Sequence, residues 1–383
     1  MQSKQRKTEA KTLVEILIEM PDPRVRERCE HVLHEVLVIA VSAILSGGES
    51  FYDMEDFGRE REPWLRGFLA LPGGIPRHDT FNRIFQIICP RAFGECFVRW
   101  TQGVRETLCG GAPTAEGEVV AIDGKALRRA KGREDDARVI VSAWATEHGL
   151  TLGQSAVKDK SNEITAVPEL LRSLELAGCI ITLDALHCQK NTAREIIEAD
   201  AQYVLALKGN QGTAHQEISA YLDDALQRQD PELVKLETVE KGHGRIETRR
   251  YSQSAHIGWF ADRAEWEGLR SIGVVESVRE IIGKEPSTER RYYLSSLPPD
   301  VETFARAVRG HWSVENQLHW SLDVTFHEDG SRARSKHAAT NLATARRIAL
   351  NLLRADKSTS ISLNRKRLRA ALNTNYLLHL LKF

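Results

Sequence analysis

No run in the 383-residue chain approaches the roughly 18 apolar residues needed to cross a bilayer. The most apolar stretch, VLHEVLVIAVSAIL, spans residues 32–45 and carries His34 and Glu35. The opening segment, MQSKQRKTEAKTLVE, is basic and polar with no apolar stretch behind it, so a secretion signal is not expected. Six cysteines are scattered without any Cys-x2-Cys pair, which argues against a zinc ribbon or a disulfide framework and suits a reducing cytoplasm. A net charge is also missing: 53 Lys and Arg balance 53 Asp and Glu, so total charge points to no polyanionic partner. Membrane and exported classes are set aside, and the length allows two or three domains around a sizeable core.

What is present is unevenly distributed. Basic residues crowd KALRRAKGR (125–133) and NRKRLR (364–369), with Arg346, Arg347 and Arg354 between them. Residues 11 to about 108 read as helices. TLVEILIEM stops at Pro21, the run from Val32 to Leu45 stops at Gly47-Gly48, and Asp79 is a plausible N-cap for TFNRIFQII. LCGGAPTAEGE (108–118) has the composition of a linker. From residue 118 short β-branched runs take over: EVVAID, RVIVSAWAT and LTLGQSAV, the last two joined by the hairpin signal EHG. A helix at ITAVPELLRSLEL, a strand CIITLD, a helix near 190–199 and a strand YVLALK follow. This order predicts an α/β fold: three antiparallel strands, then two parallel strands reached by right-handed crossovers.

That order gives two aspartates matching positions. Asp123 ends the first strand and Asp184 the fourth; if these strands are parallel neighbours, both side chains emerge at one sheet edge, where ligands of open α/β sheets bind. Taken singly, each could be an ordinary turn aspartate. Together they repel unless cations lie between them, and hard cations such as Mg²⁺ prefer oxygen ligands. A third carboxylate would complete a two-metal site for in-line displacement at a phosphodiester.

The stretch RGHWSVENQLHWSLDVTFHED, residues 309–329, supplies a candidate. On an α-helix His311, Glu315 and His319 share one polar face. Trp312 lies near that face, whereas Trp320 points elsewhere and is expected in the core. A zinc ion held by His311, Glu315 and His319 is the competing arrangement, but it leaves Asp123 and Asp184 without a purpose. Between Asp184 and Glu315 the chain is far longer than one helix and one strand require. Residues 210–295 open with a helix and then show LVKLETVE, RIETRRYSQ, SIGVVESVREI and RRYYLSSL, so a mainly β insertion is expected.

Nine segments in order carry a resemblance over nearly the whole chain: GIPRHDTF, AIDGKALR, VSAWATEHGLTLGQ, KDKSNEITAVPELL, LDALHCQKNTAREI, YVLALKGNQ, KGHGRIETR, HWSVENQLHWSLDVTFHED and NLATARRIALNLLR. The chain resembles bacterial insertion-sequence transposases of the H-repeat-associated type, within the Asp-Asp-Glu group. The resemblance implies an RNase H-like mixed sheet over 118–209 and 296–355, the β insertion at 210–295, an all-α N-terminal domain over 1–110 for DNA ends or protomer contacts, and a basic C-terminal tail or helix at 356–383. It implies Asp123, Asp184 and Glu315 as catalytic, metal-binding residues for two Mg²⁺ ions, with Mn²⁺ as a substitute. Lys125, Arg128, His187, Lys208, His311, Trp312, Asn316 and His319 are expected at the DNA. The partners implied are double-stranded DNA, as element ends and target, and a second copy of the chain; the expected location is the cytoplasm, on the nucleoid when DNA-bound. Many relatives with a β insertion carry Tyr-x2-Arg-x3-Glu-x6-Lys around the glutamate, where this chain has Val308, His311, Glu315 and Leu322. The handling of cut ends therefore does not carry over. A catalytically silent DNA-binding protein and a stand-alone nuclease are the other readings.

Overall fold

The computed structural model describes residues 11–129, 139–157, 163–242 and 244–382. Residues 13–108 carry helices and no strand: α1 (Leu13–Ile18), α2 (Leu33–Leu45), α3 (Phe51–Glu60), α4 (Glu62–Leu65), α5 (His78–Ile87) and α6 (Pro90–Leu108). Apolar on every side, α2 is buried at every position from Glu35 to Leu45, as a helix without a polar stripe must be. Its one interior acid is satisfied, because Glu35 accepts hydrogen bonds from the Ala70 and Leu71 N–H groups at 2.8 and 3.0 Å. Asp79, expected as an N-cap, lies instead in the first turn of α5, whose N-cap position is Arg77. The carboxylate of Glu55 takes the His78 N–H at 2.7 Å, so a side chain from another helix fulfils the capping role.

Strands β1 (Val119–Ala126), β2 (Val139–Ala145) and β3 (Leu150–Val157) form an antiparallel meander. After α7 (Glu163–Arg172), strand β4 (Ile180–Leu183) pairs parallel to β1; after α8 (Lys190–Glu198), β5 (Gln202–Leu207) pairs parallel to β4. These five strands adopt the pairing predicted from their order. The insertion contributes α9 (Gly212–Gln227), β6 (Val234–Gly242), β7 (Arg245–Ser254), β8 (Ser271–Ile281) and β9 (Ser287–Ser295). It is continuous with the core: β9 pairs antiparallel with β5, giving one nine-stranded sheet in the order β3-β2-β1-β4-β5-β9-β8-β7-β6. The backbone edge of β5 is satisfied by this pairing, which the strand signals alone did not specify.

On one sheet face lies α10 (Val301–Ser313), whose Phe304 and Val308 join Val119, Ile180, Val204, Tyr251 and Tyr293 in an apolar layer. The approach is close because glycine occupies both contacts: a Cβ at Gly273 would lie 2.6 Å from the Phe304 ring, and one at Gly310 would lie 2.9 Å from Val119 Cγ1. The opposite face and the N-terminal helices share a larger core with α11 (Ala338–Ala355). The tail forms α12 (Leu363–Leu372) and α13 (Thr374–Leu381).

Much of the basic sequence is structural. Arg346, Arg347, Lys366 and Arg367 are buried; Lys366 donates to the Leu353 carbonyl and Arg367 to the Ile44 carbonyl. Residues 130–133 of KALRRAKGR lie outside the described residues. No helix among the described residues is long and apolar enough to cross a membrane.

Candidate active site

The parallel pairing of β1 and β4 sets Val119 opposite Ile180 and Ile122 opposite Leu183, an offset of 61 residues. Asp123 and Asp184 share that offset (184 − 123 = 61), so they fall at one level on adjacent strands. Asp184 follows the end of β4 as expected, but Asp123 does not end β1, which continues to Ala126 because its antiparallel pairing with β2 outlasts the shorter β4. Asp184 also caps a single 3₁₀ turn, Ala185–His187, accepting the His187 N–H at 3.3 Å. Asp123 accepts the Gly124 N–H at 2.8 Å. Glu315 arrives from the helix above, and the three carboxylates line one cavity of about 200 Å³ with Thr182, Lys208, Arg291, Tyr293, His311 and Trp312.

Glu315 is not on a regular α-helix. At Val314 the helix widens into a π-helical turn, Val314–His319, followed after Trp320 by another, Ser321–Thr325. Such wide turns cost hydrogen-bond geometry and often occur at functional sites. The core side of this segment carries Val314, Leu318 and Leu322, all fully buried. Trp320, expected in the core, is 56% exposed because it falls opposite these residues. Distance from the carboxylate face did not identify the core face; the Val-Leu-Leu spacing did.

Burial is the main reason that the Asp123 carboxyl is pushed up to about 7; the Gly124 hydrogen bond opposes it, while the negative charges of Asp184 and Glu315 add to it. His311 and His319 are neutral for the same primary reason. Burial pulls His311 down to about 4 and His319 to about 3, with the charges of Arg347 and Lys125 adding to the effect at His319. His311 Nδ1 lies 3.1 Å from Thr182 Oγ1, and His319 Nδ1 lies 3.7 Å from Asp123 Oδ2. Both rings therefore offer polarity and hydrogen bonds, not fixed positive charge.

The other expected contacts separate into two groups. Lys208 is exposed at the cavity and Trp312 forms its wall; Asn316 is exposed on the adjoining cavity, and Arg128 is exposed but lines neither, pairing with Asp329 at 3.3 Å. Lys125 and His187 are buried. The Lys125 ammonium is 2.8 Å from Asp323, 2.9 Å from Asp329 and 3.7 Å from Glu328, so it braces from within the segment that follows Glu315. Its place on β1, two residues after Asp123, puts both on one strand face, and the helix above covers that face. Arg291 and Tyr293 were not among the expected residues. RRYYLSSL reads as a strand, but its pairing with β5, which brings those two side chains to the cavity, has no local signal.

Oxygen donors from three carboxylates suit a hard divalent cation, and the charges of Asp184 and Glu315 add to the burial that raises the Asp123 carboxyl. Among the described residues no three His, Cys, Asp or Glu side chains are gathered closely enough to enclose a metal ion. The donor chemistry fits; the carboxylates are splayed around the cavity.

Comparison with known proteins gives the family of the chain. The "H repeat-associated putative transposase YhhI" of Escherichia coli K12 is 39% identical over 375 residues, covering 96% of this chain and 97% of its own. YbfL of the same strain matches at 39% with the same coverage. YncI of Escherichia coli O157:H7 is 38% identical over 380 residues, covering 96% and 93%. Among solved structures, a piggyBac transposase synaptic complex with hairpin DNA aligns with 97% of this chain and 79% of its own, at 10% identity and a TM-score of 0.43. The DDE_Tnp_1-associated family matches residues 14–101 and the transposase DDE domain matches 114–352, the span that supplies both aspartates, the glutamate and all nine strands. The chain belongs to the DDE-domain transposase family.

Proposed function

We propose that the chain binds the ends of an insertion sequence and carries out phosphodiester cleavage and strand transfer at the cavity formed by Asp123, Asp184 and Glu315, within an RNase H-like core. The observation that carries this reading is the meeting of three carboxylates, from two adjacent parallel strands and one helix, in a single cavity. Two divalent cations, Mg²⁺ or Mn²⁺, held by these residues would supply activated water and charge neutralisation at the displaced oxygen. The chain's own contribution is placement. Lys208 and Arg291 stand where a phosphate would enter, Trp312 offers a flat wall on which an unpaired base could stack, and His311 is held by Thr182 as a neutral hydrogen-bonding group. The helices before residue 110 would serve end recognition or pairing of two copies on DNA, in the cytoplasm.

Replacing Asp184 with Asn removes one anionic ligand and almost no volume. Incubated with Mg²⁺ and DNA carrying the flanking element ends, the wild-type chain should yield cleaved and joined products. Asp184→Asn should bind the same DNA and yield neither; undiminished cleavage by the variant refutes the assignment. Cleavage without joining by the wild type would indicate a nuclease.

A further inference from the structure

A second cavity, of about 640 Å³, opens from the first and shares Arg291, Tyr293, Val308, Trp312 and Glu315 with it. It extends along the insertion, over the sheet face on which α10 lies. Its composition follows from strand periodicity. On β7 the alternate residues Arg245, Glu247 and Arg249 share a face; Glu247 is opposite Arg279 of β8, and Ser277 of β8 is opposite Glu289 of β9. Arg309 of α10 closes the side.

Five arginines thus line this groove: Arg245, Arg249, Arg279, Arg291 and Arg309. Apart from Glu315 of the active site, three carboxylates face them. Glu247 is met by Arg245, Arg249 and Arg279; Glu240 takes Arg249 at 3.0 Å and Arg309 at 2.9 Å; Glu289 takes Arg291 at 2.8 Å. With Glu315 counted, the groove sets five guanidinium groups against four carboxylates, an excess of one positive charge. The opposite face of the same strands differs: there Arg250 and Arg290 are matched by Glu237, Glu276 and Asp223. The positive excess is confined to the face that leads into the active site. Ion pairs alone do not require that asymmetry, nor a polar groove continuous with the site.

We infer that this groove binds the sugar–phosphate backbone of the DNA strand leading away from the scissile phosphate, with Arg279 and Arg309 exchanging carboxylate partners for phosphates. A polymer cut in the first cavity must leave it along some path, and guanidinium groups suit phosphate oxygens through paired N–H donors. Arg279 and Arg309 are the exposed arginines best placed for the exchange, and when Arg279 turns to a phosphate the buried Glu247 keeps Arg245 and Arg249. The inference deepens the transposase reading by naming where its DNA lies, and its test does not need catalysis.

The test measures binding of the full chain to a fluorescent DNA duplex of arbitrary sequence by anisotropy, with chelator present and over a series of salt concentrations. Each lost phosphate contact should lower the salt slope of binding by about 1, so the Arg279→Gln/Arg309→Gln double variant should lose about 2 and bind more weakly at every salt concentration. The Arg279→Lys/Arg309→Lys double variant keeps the charge and should retain most of the slope. Arg228→Gln/Arg263→Gln, two exposed arginines outside both cavities, should bind as the wild type does. An unchanged slope in the first variant, or an equal loss in the Arg228/Arg263 pair, overturns the groove assignment. Because no metal is present, the assignment of Asp123, Asp184 and Glu315 can fail without affecting this result.

Discussion

At the scale of single residues, the two tryptophans of the 309–329 stretch divide by what each touches. Trp312 is half-buried in the cavity wall, with the Arg291 guanidinium 4.6 Å from its ring centroid. Trp320 stands in solvent on the side opposite Leu318. Trp320→Ala should change stability by less than about 0.5 kcal/mol in thermal or urea unfolding. Trp312→Ala should cost about 1 kcal/mol through the lost cation–π contact and should also reduce DNA processing several-fold. Equal unfolding curves and normal processing in both variants would reduce the pair to surface packing. Lys125 behaves as a structural residue. Desolvation opposes its charge, but Glu328, Asp323 and Asp329 outweigh that and raise its pKa. Lys125→Met leaves those carboxylates without their shared cation and should destabilise the fold by about 3 kcal/mol in urea unfolding. A fully stable variant would show that water replaces the ammonium.

At the scale of elements, the decisive contact is α10 against β1. The missing side chain at Gly310 lets the helix approach Val119 and hold Glu315 above the two aspartates. Gly310→Ala places a Cβ 2.9 Å from Val119 Cγ1, so the helix or the strand must shift. The expected cost is about 1–3 kcal/mol in chemical unfolding. Because the shift moves Glu315 relative to Asp123, cleavage should fall more than DNA affinity does. Unaltered cleavage with lowered stability would mean that the π-helical turns absorb the displacement. Those turns were not legible beforehand. A wheel drawn for a regular α-helix grouped His311, Glu315 and His319 correctly near the site, because errors of a few tens of degrees per turn leave a broad face intact; it also sets Val314, Leu318 and Leu322 roughly opposite Trp320, a cue to the core side that distance from the carboxylate face overlooks.

At the scale of the molecule, the C-terminal helices are tied to the end of α11 through Asp356. Its side chain is buried and accepts a hydrogen bond from the Tyr376 hydroxyl at 2.7 Å and from the Ser358 N–H at 3.0 Å. Burial alone would raise this carboxyl; the bonds from Ser358 and Tyr376 and the Lys366 charge outweigh it and bring it from 3.8 down to about 2. A depressed folded-state pKa stabilises above the unfolded value. The contribution, about 2 kcal/mol, is complete above pH ~4 and is lost as pH falls toward ~2. Asp356→Asn should therefore unfold more easily than the wild type at neutral pH, with the difference shrinking across that acid window. A difference independent of pH would assign the effect to packing.

The sequence by itself determined the five core strands, their directions and the pairing of Asp123 with Asp184, because alternation, turn residues and crossover lengths are local properties and right-handed crossovers leave few arrangements. The motif around Glu315 singled out the residue that the structure places in the cavity with the two aspartates. Four outcomes needed the tertiary structure: the pairing of β9 with β5, the arrival of Arg291 and Tyr293 at the cavity, the burial of Lys125 and of half the basic residues near the C-terminus, and the arginine groove. Each depends on which segment lies against which over separations of tens to hundreds of residues. A charged side chain reads the same in sequence whether a carbonyl, a carboxylate or solvent will face it, and only packing decides among them.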